Sequence, residues 1–222
     1  MNKITLTLYH CRDARSLRPL WALEALKLEC DIKYQLINME FPPRYKYQGY
    51  LDINPLGTVP TLVVSSTEHK ITLTESAAIC QYLVEKHPES TLGLTIEHPE
   101  YGEYLNWLHR SDATFTFPQA IVLRYQRYES AERLQPQVVD DYKKWFASRI
   151  RSIESALANK SYLCAQRLTI ADICVGYALF LANEIGLAEC FGELTQAYLK
   201  RLMAEPSFQA ALNKQAHLDK IF

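Results

Sequence analysis

The amino-acid sequence predicts an α/β domain followed by an all-helical domain. Residues 4–9 and 31–38 alternate apolar and polar side chains as half-buried strands do, and residues 16–27 between them carry the apolar spacing of a helix. A proline-containing break lies at residues 88–99. Beyond it the apolar residues recur at helical spacing with few strand signals, so the second half is predicted to be a helical bundle.

A turn followed by a β-hairpin is predicted around residues 54–73. Residues 54–60, NPLGTVP, have turn chemistry, and the β-branched apolar residues after them predict a strand from about Thr61. Residues 65–69 are polar and short enough to reverse the chain, and residues 70–73 alternate as a second strand. The two strands are therefore expected to pair.

Pro60 stands where the first strand of this hairpin begins. Because proline cannot donate to a ladder, it belongs at the first residue of a strand or on an edge. A cis Val59–Pro60 bond would turn the Val59 backbone N–H and C=O outward, where they could pair with an extended, peptide-like ligand. An ordinary trans proline at a strand edge is the alternative.

A helix is predicted to begin at Glu75 and Ser76, after the start signal at Thr74, and to run to about Lys86. Free N–H groups at a helix start favour an anion, so Ser76 with its backbone N–H suits a carboxylate. Glu75 offers a counter-charge for an ammonium, and the pair fits the α-amino-acid end of a γ-glutamyl group. The alternative is a capped helix with an acid in its first turn.

Together these two segments resemble the glutathione S-transferase family, in which N-P-x-G-x-V-P-x-L followed by L-x-E-S-x-A-I-x-x-Y-L builds the glutathione site. The resemblance implies a cis Pro60, a Val59 backbone that pairs with the cysteinyl part of glutathione, and a contact from Thr58 in the same loop. It also implies that Glu75 and Ser76 hold the γ-glutamyl end. The matching residues are Asn54, Pro55, Gly57, Val59, Pro60, Leu62, Leu73, Glu75, Ser76, Ala78, Ile79, Tyr82 and Leu83.

The element order β-α-β, an irregular stretch and β-β-α is that of a thioredoxin-like domain, and it places residues 10–16 beside the Val59–Pro60 loop. The predicted domains are residues 1–87, which bind glutathione, and residues 99–222, which are all-helical, joined by a linker at 88–98. Together they form the glutathione transferase fold that the resemblance implies. Helices are expected over residues 101–125, 135–158, 169–185, 194–204 and 206–213.

Thr169 and Asp172 form a predicted capping box, in which each side chain satisfies a free backbone N–H of the other residue. In the family a Ser/Thr-x-Ala-Asp box stands at this place in the helical domain, and we expect it to serve folding and not catalysis. Family members usually carry glycine four residues before the cap, where this sequence has Ala165.

The composition is that of an ordinary soluble globular protein: the 222 residues are 48% hydrophobic and 22% charged, with a formal net charge of −1. This balance gives no reason to expect nucleic acid or a membrane as partner. No signal peptide or membrane-spanning run is expected, which predicts a cytoplasmic protein. The six cysteines are scattered without C-x-x-C or Cys/His spacing, so reduced thiols are expected, with no disulfide framework and no metal.

A glutathione transferase needs a donor that lowers the pKa of the glutathione thiol and holds the thiolate, usually Ser, Tyr or Cys near the end of the first strand. Ser16, at the expected helix start, ranks first, with N-capping as its alternative role. Arg15 ranks next as electrostatic support, followed by Tyr9, whose alternative is a place in the core or rim. Cys11 ranks last: it would form a mixed disulfide with glutathione, although a lone cysteine is usually inert.

The second substrate is expected between the domains near the first long helix, where Trp107, Ser111 and Phe115 would line an aromatic cleft. The alternative is that the aromatic residues are simply bundle core. Asp112 is expected to reach the glutathione ammonium of the partner subunit in a homodimer, as acids at comparable positions do in several classes of the family.

The predicted function is conjugation of the glutathione thiolate to an electrophilic, largely apolar small molecule by a cytoplasmic homodimer, a role in detoxification. A non-catalytic interaction or scaffold protein is the first alternative. It is favoured by position 14, because classes that use serine place it about four residues before an arginine of the first helix, and that count from Arg18 reaches Ala14. A glutathione-dependent disulfide reductase or isomerase on the same fold is the second.

Overall fold

The computed structural model describes residues 4–221, whose contacts divide the chain into two units. Within this range the first unit consists of residues 4–93 together with 204–221, and the second of residues 94–203. The division at residues 88–98 and the extent of the helical domain remain predictions. The contacts also place the last helix in the first unit.

The first unit is a thioredoxin-like α/β domain. Within residues 4–221 its sheet consists of β1 (Thr5–His10), β2 (Tyr34–Asn38), β3 (Thr61–Ser65) and β4 (Lys70–Leu73), in the order β2-β1-β3-β4. β1 pairs parallel with β2 and antiparallel with β3, and β3 pairs antiparallel with β4 as the predicted hairpin. The register sets Tyr9 opposite Thr61, so the end of β1 lies beside the start of β3.

The helices of this unit follow the predicted order, with two short turns of helix in the stretch that was expected to be irregular. Before residue 94 they are α1 (Leu17–Glu29), α2 (Pro43–Lys46), α3 (Tyr50–Ile53) and α4 (Ser76–Glu85). The β-α-β and β-β-α arrangement is thus confirmed.

α1 lies at the centre of the first unit and contacts α4. Burial continues around the whole helix from Leu17 to Leu26, so the charged residues Arg18 and Glu24 lie inside as well. The apolar side chains whose spacing predicts this helix are all buried: Leu17, Leu20, Trp21, Leu23 and Leu26.

The second unit is helical. Its α-helices are α5 (Tyr101–Arg110), α6 (Phe117–Leu123), α7 (Pro136–Ala156), α8 (Ile170–Glu184) and α9 (Glu193–Met203). Among residues 4–221, no helix combines the length and the apolar character that crossing a bilayer requires.

The helix predicted over residues 101–125 is interrupted. A π-helical turn at Ser111–Thr116 separates α5 from α6, and a second one at Arg124–Tyr128 follows α6. Pro118, the second residue of α6, explains the first interruption, because proline has no N–H to donate and its ring crowds the preceding turn. The Thr116 hydroxyl donates to the Ser111 carbonyl at 2.7 Å, which satisfies a backbone group in the widened turn.

The predicted capping box at the start of α8 is confirmed. The carboxylate of Asp172 accepts hydrogen bonds from the Thr169 N–H and hydroxyl, both at 2.8 Å. It also accepts from the Leu163 N–H at 2.9 Å and the Tyr198 hydroxyl at 2.8 Å. Burial raises the pKa of Asp172, and these hydrogen bonds oppose the rise. One buried side chain therefore joins α8, α9 and the loop before α8.

The last helix, α10 (Pro206–Gln215), packs against α1 within the first unit. The Trp21 indole N–H donates to the Ser207 hydroxyl at 3.0 Å, and its ring meets Phe208 edge-on at 4.7 Å. Further along, the Gln215 side-chain carbonyl accepts from the Asp13 N–H and from the His10 ring, both at 3.0 Å, and its amide donates to the Asp13 carboxylate at 2.6 Å. The loop between β1 and α1 is thereby held by α10.

The loop before α8 bends through left-handed backbone at Ala165, with φ of 54°, and at Gln166, with φ of 52°. These are angles at which glycine is favoured and a Cβ is crowded. The glycine usual in the family is thus replaced here by an alanine that takes up a glycine-like conformation.

We expect Ala165→Gly to stabilise the protein by about 0.5–1 kcal/mol. Relief of the left-handed alanine recovers about 1–2 kcal/mol, and the greater freedom of glycine in the unfolded chain removes part of it. The midpoint of urea unfolding measures the change. Ala216→Gly, at a residue with φ of −60°, is the control and should destabilise. A lower midpoint for Ala165→Gly than for wild type would contradict the assignment of strain.

Candidate functional site

The turn before β3 is organised by Asn54, whose side chain is buried. Its amide donates to the Thr58 carbonyl at 2.9 Å and to the Thr61 hydroxyl at 3.0 Å, and its side-chain oxygen accepts from the Leu56 N–H at 3.1 Å. The Tyr50 hydroxyl donates to the same Thr58 carbonyl at 2.6 Å. These bonds fix the backbone of residues 54–58 and so the direction in which the next residue enters the strand.

Gly57 is required within this turn. Its φ of 65° is left-handed, and an added Cβ would lie 2.9 Å from the Arg44 Cβ and 3.1 Å from a Leu51 methyl carbon. Any side chain here would push α2 and α3 away from the turn.

The Val59–Pro60 peptide bond is cis, as the resemblance implies. Val59 is half-buried, Pro60 is buried and Thr58 is exposed. Among residues 4–221 the Val59 N–H and C=O have no hydrogen-bond partner. Backbone groups left unpaired beside a strand can pair with an extended ligand.

Ser76 begins α4 and is buried, and its hydroxyl accepts a hydrogen bond from the Arg18 guanidinium at 2.9 Å. Arg18 is fully buried and carries its positive charge to the start of α4. The helix dipole and this charge add, so the electrostatics at Ser76 favour an anion.

Arg18 is a functional candidate whose contact with Ser76 the sequence motifs do not indicate. The sequence around Arg18 indicates that its guanidinium bonds outside its own helix. It lies in an apolar helix, and the residues three and four positions away are Ala14, Arg15, Trp21 and Ala22, so no acid is within reach along the helix. Such an arginine predicts a partner from elsewhere in the fold.

Glu75 is the N-cap residue of α4 and is exposed. Within the described part of the chain its carboxylate makes no ion pair or side-chain hydrogen bond. An exposed free carboxylate next to an anion-favouring helix start offers both charges that a zwitterionic amino-acid group needs.

Ser16 stands at the N-cap of α1, as predicted, but its hydroxyl does not cap the helix. It donates to the Cys11 carbonyl and accepts from the Cys11 N–H, both at 3.2 Å, and it is fully buried. The Ser16 hydroxyl proton is therefore already used in a hydrogen bond to the Cys11 carbonyl. Its role as thiolate donor remains a prediction, and this geometry weighs against it.

Cys11 is also buried, and its thiol contacts the Glu40 carbonyl at 3.7 Å. Burial raises the pKa of the Cys11 thiol to about 12. A thiol of this kind is protonated at neutral pH and reacts slowly.

Tyr9, at the end of β1, belongs to an aromatic group with Tyr47 and Tyr50, whose ring centres lie 6.3 and 5.8 Å from its own. Val59 packs into the same apolar cluster, which confirms that the β1–α1 junction lies beside the Val59–Pro60 loop. Tyr9 is half-buried, and within residues 4–221 its hydroxyl has no hydrogen-bond partner. Burial raises the pKa of Tyr9, so the phenol is protonated at neutral pH and able to donate.

Arg15 and Ala14, in the loop between β1 and α1, differ in their exposure to solvent. Arg15 is partly exposed, and its guanidinium has no ion pair among residues 4–221. Ala14, which occupies the position where an alternative serine is expected, is buried in the cluster that contains Cys11 and Tyr50.

The candidates for the second substrate lie in the second unit. Phe115 and Ser111 are fully buried, and Trp107 is 6% exposed and stacks on Phe115 at 6.3 Å. The Ser111 hydroxyl donates to the Leu108 carbonyl at 2.6 Å. These contacts are those of bundle core, the alternative role, and a contact with substrate remains a prediction. Asp112 is partly exposed in the π-helical turn.

The comparisons with known proteins agree with the resemblance. The family profile described as "Glutathione S-transferase, N-terminal domain" matches residues 4–85. Glutathione S-transferase 3 of Schizosaccharomyces pombe is 25% identical over 94% of this chain and 87% of its own length. Glutathione S-transferase GstA of Escherichia coli O157:H7 is 28% identical over 75% of this chain and 78% of its own. Elongation factor 1-gamma-A of Xenopus laevis is 23% identical over 97% of this chain and 48% of its own.

Solved structures share the fold over nearly the whole chain. A glutathione transferase from Methylococcus capsulatus superposes with a TM-score of 0.80 at 25% identity, covering 95% of this chain and 98% of its own. A sphingomonad glutathione S-transferase complexed with glutathione gives a TM-score of 0.80 at 19% identity, covering 95% and 99%. Residues 4–85 thus match the N-terminal domain of glutathione S-transferases, and the chain as a whole is similar in sequence and fold to members of that family along most of its length.

Proposed function

We propose that this protein binds glutathione in its first unit and transfers the glutathione thiolate to an electrophilic, largely apolar small molecule. The observation that carries the proposal is the start of α4, where buried Arg18 supports Ser76 and the carboxylate of Glu75 is free. The reaction forms a bond between the glutathione sulfur and an electrophilic carbon. The thiol proton passes to solvent, and the leaving group departs with its electron pair or, in an addition, stays attached.

The γ-glutamyl end of glutathione carries a carboxylate and an ammonium on one carbon. The carboxylate accepts from Ser76 and the N–H groups at the start of α4, where the Arg18 charge adds to the helix dipole. The ammonium pairs with Glu75. Because Arg18 occupies the Ser76 oxygen as a donor, the Ser76 hydroxyl hydrogen stays available for the ligand.

The cysteinyl part of glutathione pairs with the Val59 backbone, which has both a donor and an acceptor without partners among residues 4–221. Thr58, which is exposed, and Pro60 complete the contacts that this loop makes with glutathione. The Thr58 carbonyl already accepts from Tyr50 and Asn54, and these bonds hold the loop in place. The turn is therefore built before the ligand arrives, which lowers the entropic cost of binding.

For the thiolate donor the contacts favour Tyr9 over Ser16. Both residues were candidates, but the Ser16 proton is held by the Cys11 carbonyl, whereas the Tyr9 hydroxyl has no partner among residues 4–221. Because the pKa of Tyr9 is raised, the phenol keeps its proton and can donate a hydrogen bond to the glutathione thiolate. Arg15 supplies a positive charge in the same loop.

For the electrophile we retain Trp107, Ser111 and Phe115 as proposed contacts. The aromatic rings of Trp107 and Phe115 would supply the apolar surface that such a substrate needs. Against this, all three side chains are buried, which favours a role in the bundle core. The proposal also includes a cytoplasmic homodimer that acts in detoxification, with Asp112 directed at the glutathione ammonium of the partner subunit.

A second candidate is a non-catalytic protein of the same fold. It is favoured by Ala14 at the position of an expected serine, by the committed Ser16 hydroxyl, and by the similarity to an elongation factor 1-gamma. Glutathione binding without conjugation of any of a panel of aryl halides, epoxides and unsaturated carbonyl compounds would select it. A disulfide reductase is disfavoured by the pKa of about 12 for the buried Cys11 thiol.

We expect Glu75→Gln to weaken glutathione binding about tenfold, because the ammonium loses a charged partner worth about 1.4 kcal/mol. Isothermal titration calorimetry measures the affinity directly. Glu85→Gln, on the same helix, removes an exposed carboxylate that bonds only to Gln81 among residues 4–221, and it should leave the affinity unchanged. A loss of kcat at saturating glutathione with unaltered KM would show that Glu75 acts in chemistry and not in binding.

The choice of thiolate donor is tested by Tyr9→Phe, which should lower kcat by about 10²–10³-fold and raise the apparent pKa in the pH profile of kcat. The phenol favours the thiolate over the thiol, so its loss makes the thiol harder to ionise while glutathione affinity stays nearly the same. Tyr47→Phe removes a neighbouring hydroxyl of the same aromatic group and should have little effect.

Ser16→Ala should lower kcat by less than about fivefold, since its proton is already used within the loop. A larger loss for Ser16→Ala than for Tyr9→Phe, at an unaltered melting temperature, would reverse the assignment.

We expect no mixed disulfide on Cys11 when the folded protein is exposed to glutathione disulfide at pH 8. With a pKa of about 12, only about 10⁻⁴ of this thiol is ionised there, and it is buried as well. Peptide mapping by mass spectrometry locates any adduct, and unfolding in urea, which exposes all six cysteines, is the positive control. An adduct confined to Cys11, together with loss of activity in Cys11→Ala, would indicate thiol–disulfide exchange.

A further inference from the structure

One group of metal-ligating side chains lies outside the candidate glutathione site. Within the described residues, the thiol of Cys30, a ring nitrogen of His87 and a carboxylate oxygen of Glu89 all lie within 4.8 Å of one another. Cys30 follows the last residue of α1, while His87 and Glu89 lie in the turn after α4. Cys30 is distant in the sequence from His87 and Glu89, and the three match no metal-binding motif, so the fold is what brings Cys30 to the other two.

The backbone around this group is held in place by Glu29, the last residue of α1. Its carboxylate accepts from the Ser90 hydroxyl at 2.5 Å, from the Thr91 N–H at 2.8 Å and from the Thr91 hydroxyl at 2.6 Å. These bonds fasten the turn after α4 to the end of α1. Cys30 directly follows Glu29, Glu89 directly precedes Ser90, and His87 lies three residues before Ser90, so the group stands next to residues that are held in place.

The ligand atoms of the three side chains already lie near the separations that one bound ion would impose. His87 Nδ1 lies 3.3 Å from Glu89 Oε1, and the Cys30 sulfur lies within 4.8 Å of a ligand atom of each. Ligand atoms around a tetrahedral zinc ion lie about 3.5 Å apart, given bond lengths of about 2.0–2.3 Å. An exposed carboxylate and a half-buried thiol need only small rotations to reach those positions.

We propose that Cys30, His87 and Glu89 form a binding site for Zn²⁺ or a similar thiophilic divalent cation. Sulfur, imidazole nitrogen and carboxylate oxygen are ligands that zinc takes, whereas Mg²⁺ and Ca²⁺ prefer oxygen alone. Three protein ligands leave the fourth position to water, and Glu89, whose side chain is 57% exposed, lies on the solvent side. The sulfur binds as thiolate, so its proton passes to the buffer as the ion arrives.

The bound ion would tie the end of α1 to the turn after α4, which strengthens the same connection that Glu29 makes. It would not take part in conjugation, since none of its ligands belongs to the proposed glutathione site. The inference therefore stands or falls independently of the proposed function.

Cobalt(II) provides the test because it occupies zinc sites and its thiolate bond absorbs in the near ultraviolet. The full chain, stripped by a chelator and kept free of glutathione, which itself binds zinc, is titrated with Co²⁺. We expect a thiolate-to-cobalt band that saturates at one equivalent and disappears when Zn²⁺ is added. The melting temperature should rise with Zn²⁺, since an ion that binds only the folded chain stabilises it.

Cys30→Ser should abolish the band and the Zn²⁺-dependent rise in melting temperature, and Glu89→Gln should weaken Co²⁺ binding about tenfold or more. Cys190→Ser, at another half-buried free cysteine, is the matched control and should leave both signals intact. Because Glu89 is mostly exposed, Glu89→Gln keeps the test valid even if Cys30→Ser folds poorly. The proposal is overturned if no band forms in wild type, if it survives Cys30→Ser, or if Cys190→Ser removes it.

Discussion

The first unit depends on one buried charge. Arg18 lies inside α1 with its guanidinium against the Ser76 hydroxyl at the start of α4. A buried charge is costly unless it is hydrogen-bonded, so the two helices are constrained to the register in which this contact forms. The same contact brings positive charge to the point where α4 presents its free N–H groups. A packing requirement and a binding requirement are therefore met by one side chain.

The geometry of the β1–α1 loop is set from both ends of the chain. Ser16 closes the loop internally through Cys11, and Gln215 on α10 holds it through His10 and Asp13. Burial lowers the pKa of His10 to about 4, which keeps the ring neutral and able to donate to Gln215 without a buried charge. The position of Tyr9 and Arg15 relative to the Val59 loop thus rests on the last helix as well as on the sheet.

Much of the fold is predictable because it rests on local patterns. Alternation marks β1, β2 and β4, and turn chemistry marks the start of β3 at Thr61. The capping box at Thr169 marks the start of α8. Local patterns fail where a contact is long-range: they give no sign that Gln215 returns to the first unit, or that Cys30 and His87 meet. They also miss the π-helical turns, since a widened turn keeps nearly helical spacing and only Pro118 hints at it.

The candidate site illustrates a further limit, because residue type and position do not reveal which polar groups are already used. Ser16 and Tyr9 are both candidate donors from the sequence. In the fold the Ser16 hydroxyl donates to the Cys11 carbonyl, whereas the Tyr9 hydroxyl has no partner among residues 4–221. The same distinction separates Cys11 and Trp107, which are buried, from Glu75 and the Val59 backbone, which are unpaired within that range. A binding group must make its bond with the ligand, so a group whose hydrogen bonds are already complete within the protein would have to break one first. On that criterion the groups that remain are the Val59 backbone, the Ser76 hydroxyl hydrogen, Glu75, Arg15 and Tyr9, and they lie at the β1–α1 junction, in the loop before β3 and at the start of α4.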